Sequence, residues 1–172
     1  MARQRVRANG IELAYDAIGG AGAPPAVLLH ALGEAAEDWS DLAPRLVAAG
    51  HRVLAFDLRG HADSAWAGSY SSRVRADDVA AVLDVLGVRG AVVVAHSGVT
   101  DAAAWEALGA ITAPTLLVAG GPSSHVPQER LDEVAARIPD CTMVTIGGGH
   151  HVHRAEPEAF ARTVLGWLGA HA

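Results

Sequence analysis

Lysine is absent from this 172-residue chain, so all 13 of its positive charges are arginine. They are scattered except for a small group at Arg3, Arg5 and Arg7, and the net charge is −6. A basic stripe or patch is the electrostatic footprint of nucleic-acid and anionic-membrane binders. Its absence argues against both partners, and the acidic excess reads as a solvated surface. Cysteine is nearly absent too: Cys141 stands alone. No disulfide can close within the chain, which fits a reducing compartment. The N-terminus, Met1-Ala2-Arg3-Gln4-Arg5, shows no apolar signal-peptide region, and no apolar run is long enough to span a bilayer. A cytoplasmic location is the expectation. Aromatics make up only 5% of residues against 51% hydrophobic overall, so the core must be built mainly of Val, Leu and Ala. The length fits one domain, 1–172, large enough to bury a real core.

Strand and helix signals alternate along the chain. Residues 3–16 read as a hairpin turning at Asn9-Gly10. Ala26-Val27-Leu28-Leu29 is a short apolar strand ending at His30, followed by a helix from about 36 to 49. Arg52–Phe56 is the next strand, ending at Asp57, and a helix follows at about 75–86. Further strands are expected at 91–95, 114–118 and 142–146. Helices are expected at 102–108, 128–137 and 156–168. Strands alternating with helices imply a mostly parallel sheet covered on both faces, here with an antiparallel N-terminal hairpin. Ligands of such sheets sit at the carboxyl ends of the strands. His30, Asp57, Ser97, Gly120 and His150 all fall at or just past those ends.

Acyl transfer by serine needs a hydroxyl on a sharp turn, an imidazole to take its proton, and N–H donors for the developing oxyanion. The run Ala91-Val92-Val93-Val94-Ala95-His96-Ser97-Gly98 reads as a buried strand stopping abruptly at a hydroxyl, and His150 follows three glycines. The N–H of Gly98 and one from the loop after His30 would supply the donors.

Several blocks, in order and spread over nearly the whole chain, resemble the α/β-hydrolase family. His30-Ala31-Leu32-Gly33-Glu34 is similar to its oxyanion loop. Asp57-Leu58-Arg59-Gly60-His61-Ala62-Asp63-Ser64 resembles its Asp-x-Arg-Gly-His-Gly-x-Ser loop, and Ala95-His96-Ser97-Gly98-Val99 stands where its G-x-S-x-G elbow belongs. Ala113–Gly120 resembles the strand before the catalytic acid. Gly149-His150 with His153, Pro157 and Phe160 resembles the histidine segment. The resemblance implies an α/β-hydrolase-like core with Ser97 and His150 as catalytic residues and the Leu32 and Gly98 N–H groups as oxyanion hole.

Three departures stand out. Ala95 and Val99 replace both elbow glycines. Ser123 occupies the position of the acid; a serine can orient an imidazole but cannot supply charge to an imidazolium. Asp101 and Glu34 are the alternative carboxylates. Only residues 98–112 separate the nucleophile strand from the next one, which implies no cap domain and one strand-helix unit fewer than the family pattern.

Other chemistry-bearing residues have plainer readings. His150, His151 and His153 lack a Cys or carboxylate cluster to complete a metal set, so no metal and no cofactor is expected. Asp57 reads as a loop anchor and His30 as shaping its own loop. Trp39, Trp105 and Trp167 read as core, Trp66 as a loop residue. Two functions follow as expectations. One is a serine hydrolase forming an acyl-enzyme with a small carboxylic ester or related acyl substrate. The other is a non-catalytic or vestigial hydrolase fold. Sequence sets neither the substrate nor the oligomeric state.

Overall fold

The computed structural model describes residues 2–97 and 101–171. Gly98 and Val99, the oxyanion donor and elbow substitution singled out above, lie outside the described residues. The chain falls into two compact units, Met1–Ala104 and Trp105–Ala172, each considered by itself below.

The first unit opens with β1 (Ala2–Ala8) and β2 (Ile11–Ile18), paired antiparallel with Ala8 opposite Ile11. Asn9 and Gly10 turn the chain with φ of 47° and 73°, as a two-residue I′ hairpin requires. Then come β3 (Pro25–Leu29), a single 3-10 turn (Ala36–Trp39), α1 (Leu42–Ala48), β4 (Arg52–Phe56), α2 (Ser72–Val85), β5 (Val92–Ala95) and the first residues of α3 (Ala102–Ala107), whose remainder belongs to the second unit. The sheet order is β1-β2-β4-β3-β5, with β4, β3 and β5 parallel and the hairpin joined antiparallel through β2.

Strand alternation divides the core between two faces. Leu54 and Phe56 of β4 cluster with Leu13, Tyr15 and Val27 and with Val82 of α2. Their sequence neighbours Val53 and Ala55, with Ala26 and Leu28 of β3, are equally buried and must point the other way. On that side α1 lies against β4 and brings Leu46, with Trp39 just before it, into the interior. Each such side chain, fully buried, stabilises the fold by roughly 1.5–3 kcal/mol.

One expected helix is broken. The sequence reading runs a single helix from 36 to 49, but the structure stops it at Ser40 and restarts it at Leu42. Pro44 explains the break: in a continuous helix it would sit in the interior, without an N–H and against the carbonyl of Ser40, whereas in the first turn of α1 its missing donor costs nothing. The expected helix at 75–86 starts earlier, at Ser72, because the Ser71 hydroxyl accepts from the Val74 N–H and caps it.

The second unit holds β6 (Thr115–Ala119), α4 (Gln128–Arg137), β7 (Cys141–Thr145), a one-turn α5 (Val152–Ala155) and α6 (Pro157–Ala170). β6 and β7 pair parallel, Ala119 opposite Thr145. A small core of Leu108, Val134 and Ile138 gathers Trp105, Leu117 and Cys141. Two arginines, Arg130 and Arg137, stack their guanidinium groups 3.6 and 4.6 Å from the Trp105 ring centroid. Burial pushes the Cys141 thiol above its usual range, so it behaves as a small core residue rather than a nucleophile.

Candidate active site

In the first unit, register brings the strand ends level. Leu29 lies opposite both Phe56 and Ala95, so the loops beginning at His30, Asp57 and His96 leave the sheet side by side. The His96 N–H still donates to the Leu29 carbonyl, at 3.0 Å, before the chain departs. One residue on, Ser97 has φ of 53° and is exposed. A serine in the left-handed region costs about 1 kcal/mol or more and persists only where its surroundings impose it. This is the strained strand end that a projecting nucleophile needs.

The neighbouring loops are fixed by buried polar groups. His30 is buried; the Leu58 N–H donates to its Nε2 at 2.9 Å, and its Nδ1 lies 2.7 Å from the Ala31 carbonyl. Both contacts are made at once only by a neutral ring protonated on Nδ1. Burial holds its pKa below the ordinary value, helped by the charge of His61. Asp57, fully buried, accepts from the Ala36 N–H at 2.8 Å and the Asp63 N–H at 3.1 Å, and pairs with Arg3. Arg3 also reaches Asp16 and Asp63. Asp57 and His30 are thus loop anchors, as expected. The turn from Ala31 to Glu34 closes with a 3.2 Å backbone bond, and the Gly33 N–H donates to His61 Nε2 at 3.1 Å. Between these ties Leu32 is more than half exposed.

The loop after Asp57 hangs on one buried ion pair. Arg59 meets Asp78 of α2 at 2.5 and 2.7 Å and holds the carbonyls of Ala67 and Ser69. Asn9 of the hairpin adds a 2.7 Å bond to the same carboxylate. Trp66 and Tyr70, on the stretch so held, pack edge to face and are exposed.

The alternative acid Asp101 is committed elsewhere. Its carboxylate accepts from the Ala104 and Ser72 N–H groups, at 2.9 and 3.0 Å, capping α3 and tying it to the start of α2. Those bonds hold its pKa below the usual carboxylate range.

In the second unit, the loops after β6 and β7 interlock. The Ile146 N–H donates to the Ala119 carbonyl at 2.8 Å and the Gly149 N–H to the Gly120 carbonyl at 3.0 Å. Gly120 is required for this approach, because a Cβ there would lie 2.5 Å from the Gly149 carbonyl carbon. Ser123 comes beside the same segment: a Cβ on Gly149 would lie 3.7 Å from its hydroxyl. His150 is next in sequence, half-buried, its ring centroid 4.2 Å from that of His125 and 5.3 Å from that of His151. Burial, and then the charges of His125, His151 and His153, hold its pKa below the ordinary imidazole value. Such a shift favours the neutral form of the ring.

The structure therefore gathers Leu32 and Ser97 at the strand ends of one unit, and Ser123 and His150 at the strand ends of the other. Sequence reasoning missed three polar features: Arg3 bridging three carboxylates, the Arg59–Asp78–Asn9 cluster, and Asp38. Asp38 is fully enclosed, its carboxylate 3.9 Å from the His96 imidazole. The spacing of Glu34 and Asp38, one helical turn apart, was the only signal for it.

Comparison with known proteins bears on the fold. A family model described as the alpha/beta hydrolase fold matches residues 24–97. The bifunctional esterase/perhydrolase DCH of Acinetobacter calcoaceticus is 38% identical over 91 residues, covering 52% of this chain and 33% of the relative. The 2-heptyl-3-hydroxy-4-quinolone dioxygenase AqdC2 of Rhodococcus erythropolis is 34% identical over 126 residues, covering 70% of this chain and 46% of the relative. The chain thus spans less than half the length of these relatives. Among solved structures, a hydrolase from Pseudomonas aeruginosa PA01 superposes with a TM-score of 0.85 at 20% identity, covering 97% of this chain and 98% of that one. At that identity the likeness is one of fold.

Proposed function

We propose, from the α/β-hydrolase fold to which this chain belongs, that it is a serine hydrolase acting on a small carboxylic ester. The observation that carries the reading is the left-handed, exposed Ser97 at the end of an inner parallel strand's neighbour, β5. The Ser97 hydroxyl attacks the ester carbonyl while an imidazole nitrogen of His150 takes its proton. The N–H groups of Leu32 and Gly98 hold the oxyanion. His150 then gives the proton to the departing alkoxide, leaving an acyl-Ser97 ester. Water, deprotonated by His150, attacks that ester and releases the carboxylic acid, and the proton returns to Ser97. The lowered pKa of His150 favours the unprotonated ring that a general base must present, while making it a weaker proton acceptor. The esterase named among the relatives supports the substrate class.

A second reading, a hydrolase fold without hydrolysis, is favoured by one feature: a serine, Ser123, stands in the acid's place beside the His150 loop. Without a carboxylate, turnover falls by about 10⁴ in the serine-protease case from which that magnitude comes. Labelling with a fluorophosphonate and turnover of p-nitrophenyl acetate decide between them. Labelling of the native chain that disappears in Ser97→Ala, with ester turnover lost in both Ser97→Ala and His150→Ala, supports the hydrolase. Absence of labelling, or turnover unchanged by Ser97→Ala, overturns it.

A further inference from the structure

Buried polar groups hold the loop between β4 and α2 in place, yet it presents two aromatic rings to solvent. Of the four Trp, two Tyr and two Phe, only Trp66 and Tyr70 are exposed, Trp66 at 73%. Their rings meet edge to face with centroids 6.4 Å apart. The Tyr70 ring is seated on the Gly60 backbone, where an added Cβ would come within 2.5 Å of it. Arg59, paired with buried Asp78, holds the carbonyls of Ala67 and Ser69 in the stretch between the two rings. A corner fixed in this way takes up a flat apolar group with little further loss of conformational entropy.

Both ends of this loop are tied to segments that the ester mechanism uses, all within the first unit. Near its start, His61 accepts from the N–H of Gly33, the residue after Leu32. Just past its end, the Ser72 N–H donates to Asp101, four residues beyond Ser97. Leu32 adds a third exposed apolar side chain to the loops at this end of the sheet. Residues 64–72 carry no charged side chain, so the stretch is suited to a neutral group rather than to a carboxylate or phosphate.

We propose that Trp66 and Tyr70 form the wall that receives an aromatic ring of the ester substrate, which makes them specificity-determining residues. The inference rests on the ester-hydrolase reading for its chemistry and names the class of ester: neutral, with a ring on one side of the scissile bond. Trp66 meets the ring and not the reacting atoms, so its removal acts through KM. Loss of one ring-on-ring contact corresponds to about three- to tenfold.

The test compares kcat/KM for phenyl acetate and for ethyl benzoate, each relative to ethyl acetate, in the native chain and in Trp66→Ala. The intrinsic reactivity of each ester cancels between the two proteins. Binding of acetophenone, which has a ring and a carbonyl but no ester bond, is followed by NMR titration of its ring protons. The expected result is a three- to tenfold fall in selectivity for at least one of the two ring-bearing esters, and a similar weakening of acetophenone binding. Trp66→Phe should restore both, which separates a lost ring from a loosened loop. Val85→Ala is the control: Val85 is also exposed, but it ends α2 about 20 Å along the helix from Ser72. The proposal fails if native protein does not bind acetophenone, or if Trp66→Ala binds it as tightly as the native chain does. It also fails if esters are hydrolysed but Trp66→Ala keeps the native selectivity for both ring-bearing esters, or if Val85→Ala changes selectivity as much. If no ester is turned over while acetophenone binding still depends on the Trp66 ring, the serine mechanism is refuted and the aromatic wall stands.

Discussion

Replacing Gly120 by alanine tests the interlocked loops that carry His150. The added Cβ would stand 2.5 Å from the Gly149 carbonyl carbon. Ordinary carbon–carbon contact begins near 3.5 Å, and the Gly149 carbonyl oxygen lies closer still, so the two backbones must separate by more than about 1 Å. No flexible side chain can yield instead, because the obstructing atoms are main chain. Forced overpacking costs about 1–3 kcal/mol. The bond from the Gly149 N–H to the Gly120 carbonyl is strained by the same movement, which adds about 0.5–1.5 kcal/mol. A total near 3 kcal/mol corresponds to a fall of about 6–12 °C in Tm for a chain of this size. Gly166 in α6 is the control: nothing lies within 4 Å of its Cβ position, so Gly166→Ala should raise Tm slightly. The loop movement also displaces His150, and a misplacement of about 1 Å costs on the order of 10² in rate. Scanning calorimetry and p-nitrophenyl acetate kinetics read the two effects separately. A Gly120→Ala protein melting with the native chain refutes the packing argument. One that is destabilised but hydrolyses ester at the native kcat refutes the role given to His150.

Other perturbations follow from the buried polar groups. Asp78→Ala leaves the Arg59 guanidinium buried and unpaired and removes the Asn9 contact. A loss of about 3–5 kcal/mol is expected in urea unfolding, with earlier proteolytic nicking of the stretch from Ala67 to Ser69. Ser97→Gly removes the left-handed strain whereas Ser97→Ala keeps it. The glycine variant should therefore be at least as stable as the alanine variant, by about 1 kcal/mol, less the entropy glycine adds to the unfolded chain; both should lack labelling. For His30, the folded pKa lies below the ordinary value of 6.5, so the unfolded chain binds the extra proton first. Its contribution to stability is complete above pH 6.5 and is lost as pH falls through that value toward the folded pKa. Midpoints of urea unfolding between pH 7.5 and 5 should fall (about 1.4 kcal/mol per pH unit per proton at most). The fall should flatten in His30→Gln.

Much of this fold is written locally, and the rest is lost for a definable reason. Alternation and turn chemistry identify β1 to β7, because a strand's neighbours and its terminating Gly or Asn lie within a few residues of it. Pro44 shows a local rule overlooked: the apolar stripe from Trp39 to Val47 suits one helix, and only the position of a single imino acid breaks it in two. The loop anchors belong to another class. Asp57 and His30 are legible because a motif gathers them, but Arg3 looks like one of three surface arginines until folding brings Asp16, Asp57 and Asp63 around it. Asp78 is hidden more deeply. It occupies the face of α2 where Val82 is buried, and a helical pattern penalises a carboxylate there. Its partners come from β4's loop and the first hairpin, far away in sequence.

The same reasoning separates the two halves of the candidate site. Ser97 is legible because its conformation is a property of one strand end, and His150 because three glycines precede it. The acid is not, because an acid can be supplied by any loop that reaches the imidazole. Ser123 therefore marks where the family's usual solution is missing without naming a substitute. Asp101 is spent on two helix caps, so a carboxylate bound to two N–H donors would have to break both to serve a histidine, at about 0.5–1.5 kcal/mol each. If ester turnover is found, and Asp101→Asn and Glu34→Gln both leave it intact, the hydroxyl of Ser123 is the partner that remains of those named. Turnover by Ser123→Ala then decides whether hydrogen bonding alone orients His150.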